Sequence, residues 1–537
     1  MRKTSIFVIC TFLFVCCNSD NSQFSISDSD QIYFTKAFQN AELANEGFVR
    51  CENFVNAWLD YSDPVSGLIP RNIEESKDFW NAKDAAADNY PFMVLTSFFT
   101  NQEMFDGRMM DMLNSEKSLT SRIGSLPDTY SFSKKGFLND EVKLGGIVFG
   151  TSEYIKDGLL PLTEWLGNSP WSERMIEMLS DLGDTIDVAK DIQEKGFGRA
   201  PQEEVNGELL QVLSRVYFMT GEERYLDWAI KIGDFYLLGD HHPTRDLEYL
   251  RLRDHGCELV SGLCELYLTV NFARPGKKEA YQAPLYQMMD RILDVGRNED
   301  GFFYDGINPK TGEIVQNRIA DTWGYTLNGF YGVFMIDGKQ EYKDAVLDLF
   351  SNLNKYRNYD WEGGSSDGYA DAIESALNLY NRIADPTAAD WIDSEIQVMW
   401  GKQQESGIIE GWHGDGNFAR TTIMYNLWKS KGLYVKPWKE DVLLGAEQKG
   451  DSLLITITSK KPWTGKLYFD KQRHKENMNL PIDWPRINQF PEWFTVLSTQ
   501  EYKFVDLDKK NVKSLQGTEL IGGLDVAIEG DKNFIVY

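Results

Sequence analysis

Cationic side chains are scarce in this chain of 537 residues: 55 lysines and arginines stand against 82 aspartates and glutamates, for a formal net charge of -27. Nucleic acid would be repelled by such a protein except where arginines gather locally, so it is not expected as a partner. Histidine is rarer still, at five residues. No HExxH, CxxC or calcium-loop spacing occurs, so zinc and calcium chemistry find no motif. A glycine-rich dinucleotide or phosphate loop is also missing, and neither a metal nor a cofactor is expected.

Cysteine is sparse and poorly placed for cross-linking. Cys10, Cys16 and Cys17 fall in MRKTSIFVICTFLFVCC, a basic start and compact apolar run of the export type, too short for a spanning helix of the mature protein. With the polar stretch NSDNSQFSISDSD behind it, this resembles a lipoprotein box, with Cys17 or Cys16 acylated. The protein is therefore expected to be exported and to touch membrane only through a lipid anchor. Cys257 and Cys264 lie two helical turns apart, roughly 10 Å, too far to bond. Cys51 has no evident partner, and no disulfide framework is implied.

What is present is a large globular core: 42% of residues are hydrophobic and 13% aromatic, which rules out a disordered chain. From about Phe34 to Leu433 apolar residues recur at three and four, the helical period. Hairpins such as EEVNGELLQVLSRVYFMTG with ERYLDWAIKIGDFYLL return every 45–60 residues or so, separated by glycine-aromatic loops. One hairpin buries only one face unless neighbours cover the other. About six pairs therefore suggest a mainly α fold, an (α/α)6 toroid, with an open helical solenoid as the competing architecture. After Pro437 the texture becomes short, alternating and turn-separated, as in SLLITITS and EYKFVDL, which reads as an antiparallel β-sandwich. The expected divisions are a signal over 1–17, a polar linker over 18–33, a toroid over 34–436 and the β-sandwich over 437–537. The loop KQRHKENMNLPIDWPRINQFPEWF is expected to clasp the two domains or to reach over the barrel rim.

Candidate chemistry concentrates in GDHHPTRDLEYLRLRDHGCELVSGLCELYL, Gly239 to Leu268. It holds His241, His242 and His255 with Arg245, Arg251 and Arg253, against an acidic background. A second motif, WHGDGNFAR, runs from Trp412 to Arg420. Each joins a histidine to glycine, acids and an arginine at the start of an expected inner helix. Acids at such positions also cap helices, which is the plain account of Asp88, Asp321, Asp367 and Asp415. Glu258 could likewise reach back to the backbone of His255.

The motifs RLRDHGCELVSGL, WHGDGNFARTTIMYNLWKS and MNLPIDWPRINQFPEWFTV resemble the (α/α)6 proteins of Bacteroidetes polysaccharide-degradation systems, most of all the oligosaccharide dehydratase of ulvan degraders. The chain lacks the WGRGNGW-like segment expected of an unsaturated uronyl hydrolase. The resemblance implies loss of water from a non-reducing-end uronic acid beside sulfated rhamnose, giving a 4,5-unsaturated sugar. The expected partner is then an acidic oligosaccharide. Chemistry assigns the roles. Arg253 and Arg420 would grip the carboxylate. His255 and His413 would serve as base and acid, with Tyr325 or Tyr154 in reserve. Trp323 and Trp412 would stack on sugar, Arg245 and Arg251 would meet sulfate, and Glu258, Asp415 and Asn417 would complete the binding set. The alternatives are a glycoside hydrolase using paired carboxylates and a glycan-binding lipoprotein without turnover.

Overall fold

In the computed structural model, residues 28–188, 202–254 and 256–537 are described; the expected signal with Cys17, and His255, lie outside them. Fourteen helical segments alternate between an outer and an inner position. The outer ones are α1 (Asp28–Asp60), α3 (102–120), α5 (Pro170–Val188), α7 (223–238), α9 (Pro275–Val295), α11 (Gln340–Asn352) and α13 (Pro386–Trp400). The inner ones are α2 (82–100), α4 (144–166), α6 (Gln202–Thr220), α8 (Gly256–Ala273), α10 (Trp323–Asp337), α12 (Ser366–Tyr380) and α14 (Asn417–Ser430). Each inner helix packs on the next, and α14 returns to α2, so the ring closes. An open solenoid is excluded by that closure. The described ring has seven inner helices, one more than the sequence rhythm suggested. The extra pair, α3 with α4, falls in and after the stretch whose periodicity is broken by turns of π-helix and by short strands between 121 and 137. The helix α1 also begins at Asp28, inside the stretch expected to be linker.

Sequence separates the two layers. Every residue of α14 is buried, and so is the run from Cys257 to Val270 of α8. The first part of α7, Glu223–Gly233, buries only Tyr225, Leu226, Ala229, Ile232 and Gly233, the single stripe of a surface helix. Two glycines set the closest crossing. A Cβ on Gly262 would lie 2.5 Å from the Gly207 carbonyl oxygen, and one on Gly207 would lie 2.3 Å from the Leu259 nitrogen. Only glycine allows α6 and α8 to meet backbone to backbone.

The strands β1 (Tyr434–Lys436), β2 (Val442–Lys449), β3 (Ser452–Tyr468), β4 (Glu501–Asp506), β5 (Asn511–Gln516) and β6 (Leu524–Val536) form one antiparallel sheet. Its order is β2-β3-β6-β4-β5, with β1 also on β3. The expected sandwich of two sheets is instead one continuous sheet. The long β3 and β6 break register between Ser459 and Trp463, and residues from both sides of that break, Leu453, Ile455, Ile457, Trp463, Leu467 and Ile528, share one core. The opposite face sits on α1, where a Cβ on Gly445 would collide with the Ala37 carbonyl oxygen at 2.2 Å.

Between β3 and β4 the chain leaves the sheet and enters the ring. Asn477 donates to the carbonyl of Glu164, Trp484 to Glu265, and Arg486 to Glu164 at 2.7 Å. Arg215 donates to the Ile487 carbonyl and Asn378 to that of Arg486. These partners lie late on α4, α6, α8 and α12, so the segment fills the ring's axis from the end opposite the helix starts. It plugs the barrel rather than crossing its rim.

Candidate active site

All seven inner helices contribute to one axial cavity of about 420 Å³. Most contribute through their first turns and the loops before them: Arg251, Arg253, Asp254 and Glu258 at α8, Thr322 and Tyr325 at α10, Asp367 and Asp371 on α12, and Trp412, His413, Asn417 and Arg420 at α14. Two helices contribute through π-wound turns. Asp84 and Asp88 lie in Ala82–Asn89, and Lys156 and Asp157 in Tyr154–Leu159. Such turns re-aim side chains and recur at functional sites.

One wall centres on His413. A Cβ on Gly416 would come 2.1 Å from the Asp88 carbonyl oxygen, so glycine lets α14 start against α2. His413 Nδ1 is 2.9 Å from the Gly414 carbonyl, which makes it the N–H donor. Nε2 then faces Asp88, 3.8 Å away. Burial pulls the imidazole's pKa down, but Asp88 and Asp84 hold it above the ordinary value. Asp84, Asp88 and His413 each bring one ligand-type atom within 4.8 Å of the others, a spacing a cation could use. However, Arg71 and Asn81 already donate to Asp84 at 2.5 and 2.6 Å, so a guanidinium supplies positive charge there.

A second wall is a chain of buried charge. Arg420 Nη2 lies 2.6 Å from Asp371 and 2.9 Å from Glu374, while Nη1 donates to Asn417 at 2.8 Å and to Asn488 at 3.0 Å. The Tyr325 hydroxyl sits 2.8 Å from Asp371 and 2.9 Å from Glu374. Burial drives the Tyr325 phenol well above its usual range, although Arg420 opposes this. Lys156 bridges Asp157 at 2.7 Å and Glu258 at 2.5 Å, and Gln211 donates to the other oxygen of Glu258.

The carboxyls divide by environment. Burial, with Asp371 and Asp415 nearby, pushes the Asp367 carboxyl well above the ordinary range. Asn417 donates to Asp367 at 2.8 Å. Burial also pushes Asp415 up to about 6, against His413 and Arg420, and lifts Glu153 well above normal with help from Glu208 and Asp157. At the mouth, Trp412 is 69% exposed. Arg71 and Lys83 lie 5.3 Å from its ring centre, which fixes it as a flat platform.

Of the residues expected from sequence, His413, Tyr325, Arg251, Arg253, Arg420, Trp412, Glu258 and Asn417 line the cavity. Others do not. Tyr154 is fully buried on the far side of its helix, near Tyr90, Glu116 and Arg174, so it is no acid or base for the cavity. Trp323 is fully buried among Phe302 and Trp391 and cannot stack on a sugar. Arg245 pairs with Asp246 and the Gly239 carbonyl in a surface turn, away from the cavity. Asp415 lies behind the wall, accepting the Asn417 amide at 3.2 Å. Arg420 offers no two-point grip, because Asp371, Glu374, Asn417 and Asn488 fill its fork. The histidine-rich stretch disperses. His242 is buried against the Pro284 carbonyl, and His241 stacks on Phe235 with ring centres 3.9 Å apart.

Sequence reasoning missed Lys83, Lys156, Asp157, Glu153 and Glu362. The signal for Lys156 and Asp157 was an adjacent pair of opposite charges inside a largely apolar helix, TSEYIKDGLLPLTEWL. Glu362 had a weaker one, a glycine-rich WEGGSSDG turn; its backbone is left-handed at φ 46, as is that of Asp254 at φ 49.

No protein-family model matches the chain, and no curated protein does. Among solved structures it is similar to an α-1,6-mannanase of glycoside hydrolase family 76 from Salegentibacter in complex with α-1,6-mannotetrose, at 11% identity over 71% of this chain and 97% of that one, TM-score 0.39. A family 76 mannosidase of Bacteroides thetaiotaomicron matches at 12% identity over 71% and 98%, TM-score 0.38. A possible member of family GH105 from Salmonella enterica matches at 12% identity over 59% and 90%, TM-score 0.39.

Proposed function

We propose that this protein is a carbohydrate-active lyase that removes water from the terminal uronic acid of an acidic, ulvan-type oligosaccharide. The observation that carries the reading is the axial cavity itself. It is a dead end backed by the plug segment, whose Asn488 holds the lining residues Asp157 and Arg420, with the exposed Trp412 as a platform at its mouth and the Asp367 and Glu153 carboxyls pushed up by burial. A dead end takes one chain terminus and suits chemistry on the end residue.

Elimination needs three things of the protein. The substrate carboxylate must be stabilised as the C5 proton leaves and charge builds on it. Asp367, whose carboxyl burial pushes well above the ordinary range, can donate a hydrogen bond to it when protonated, and Lys83 and Arg253 add positive charge. The ion pairs of Arg253 among the described residues, 3.3 Å to Asp305 and 3.4 Å to Glu362, are longer than good charge-assisted bonds. An acid must then help the C4 hydroxyl depart, and Asp88 and Asp84 favour the charged form of His413 for it. A base must take the C5 proton. His255, which stands in the chain between the lining residues Asp254 and Glu258, is the proposed base. The C5–H electron pair becomes the C4–C5 double bond, the C4–O bond breaks, and the hydroxyl leaves as water with the proton from His413.

Glycoside hydrolysis is the second reading, and one observation favours it: ten carboxylates line the cavity against five lysines and arginines. Such an excess suits paired-carboxylate chemistry on a neutral sugar. Incubating the protein with oligosaccharides that end in a uronic acid, followed by mass spectrometry, separates the two. Elimination leaves one product lighter by one water. Hydrolysis gives two shorter fragments.

A further inference from the structure

Asn488 joins two charge networks directly, through a single side chain. It belongs to the segment between β3 and β4, yet it stands directly behind the lining residues Asp157 and Arg420, 2% exposed. Its side-chain amide donates to Asp157 at 2.6 Å, and its side-chain oxygen accepts from Arg420 at 3.0 Å. Its backbone N–H donates to Glu374 at 2.6 Å. Asp157 is the partner of Lys156, and Lys156 holds Glu258. Arg420 and Glu374 hold Asp371 and the Tyr325 hydroxyl. One amide thus fixes the Lys156–Glu258 side of the cavity relative to the Arg420–Tyr325 side.

The backbone supports this placement. Asn488 takes a left-handed conformation, φ 60, which asparagine tolerates better than most residues. Just before it the segment is clamped: Arg486 by Glu164 and Asp483, and Ile487 through its carbonyl to Arg215 and its side chain against Cys257 and Tyr325. A loop that only tied sheet to ring could end at the Asn477, Trp484 and Arg486 anchors. Instead it runs further and delivers a neutral donor-acceptor between an aspartate and an arginine.

We infer that Asn488 is a positioning residue of the active site, which aims Arg420, and through it Asp371 and Tyr325, into the cavity, so that the segment inserted from the C-terminal sheet is part of the catalytic unit. The inference rests on the acid–base reading of the cavity given above.

The test is Asn488→Gly, which keeps the left-handed backbone and the N–H to Glu374 while deleting both side-chain bonds. The expected result is a kcat reduced about tenfold to a hundredfold, the range of a lost hydrogen bond to a charged group. KM should stay within about twofold, the pH profile of kcat should shift, and a crystal structure of the variant should have the Arg420 guanidinium turned away from Asn417. Asn488→Asp keeps the acceptor for Arg420 and removes the donor to Asp157. It should leave Arg420 in place while moving the pH profile. Unchanged kinetics and an unmoved Arg420 in Asn488→Gly would overturn the inference while leaving the function reading intact. If the unaltered protein converts no acidic oligosaccharide, the function reading fails, and the position of Arg420 in the variant alone decides the inference.

Discussion

Arg420 and Tyr325 meet on the same two carboxylates: the guanidinium lies 2.6 Å and the phenol oxygen 2.8 Å from Asp371, and both are 2.9 Å from Glu374. An arginine so enclosed is a structural counter-ion first. Arg420→Met would leave Glu374 buried without its counter-ion, and breaking a buried pair in that way costs about 3–5 kcal/mol. Urea denaturation of the variant should register that loss. A variant as stable as the parent would mean that the pair is not closed in solution.

His413 makes stability depend on pH in a particular direction. Its folded pKa is raised, so its charged form contributes stability that is fully present below the unfolded value near 6.5 and is lost as pH climbs through the raised folded value. The stability gap between the parent and His413→Asn should therefore be widest in mild acid and narrow toward alkaline pH. Denaturation at a series of pH values measures it, and a gap that widens upward would contradict the assignment of Asp88 and Asp84 as its partners.

Tyr154→Phe should be silent in catalysis. The hydroxyl is buried with no hydrogen-bond partner among the described residues, and its removal deletes a polar group that burial penalises. Equal kcat and KM, with equal or higher thermal stability, is the expected outcome. A loss of turnover would return Tyr154 to the mechanism.

Trp412→Ala tests the platform at the mouth. The ring is largely outside the core, so folding should be untouched. Losing about 0.5–1.5 kcal/mol of stacking should raise KM roughly two- to tenfold with kcat nearly constant. An unchanged KM would remove the platform from the substrate's path.

Sequence carried the architecture because the architecture repeats. Helical period, glycine-aromatic loops and the change of texture after Pro437 each report locally on burial. The count of pairs failed where α3 and α4 are wound with π turns and short strands intervene, since those spoil the period. The sandwich became one bent sheet because a register break inside β3 leaves no turn signal. In the site, the two histidine motifs led to the starts of α8 and α14, and eight expected residues reached the cavity. Trp323 and Tyr154 misled for a common reason: aromatic residues near an inner helix serve the core as readily as a ligand. Lys156 against Glu258 and Asn488 against Asp157 are pairs 102 and 331 residues apart, and no local pattern announces them. Nor does residue type reveal that the fork of Arg420 is already filled.

The central claim is that this cavity eliminates water from a terminal uronic acid. The most direct measurement follows the ultraviolet absorbance of a reaction with a uronate-terminated oligosaccharide while assaying released sugar in the same sample. The account expects absorbance from the new conjugated double bond to rise with no sugar released, and Asp367→Asn to blunt that rise. Sugar release without any absorbance gain would contradict it and turn the reading to hydrolysis.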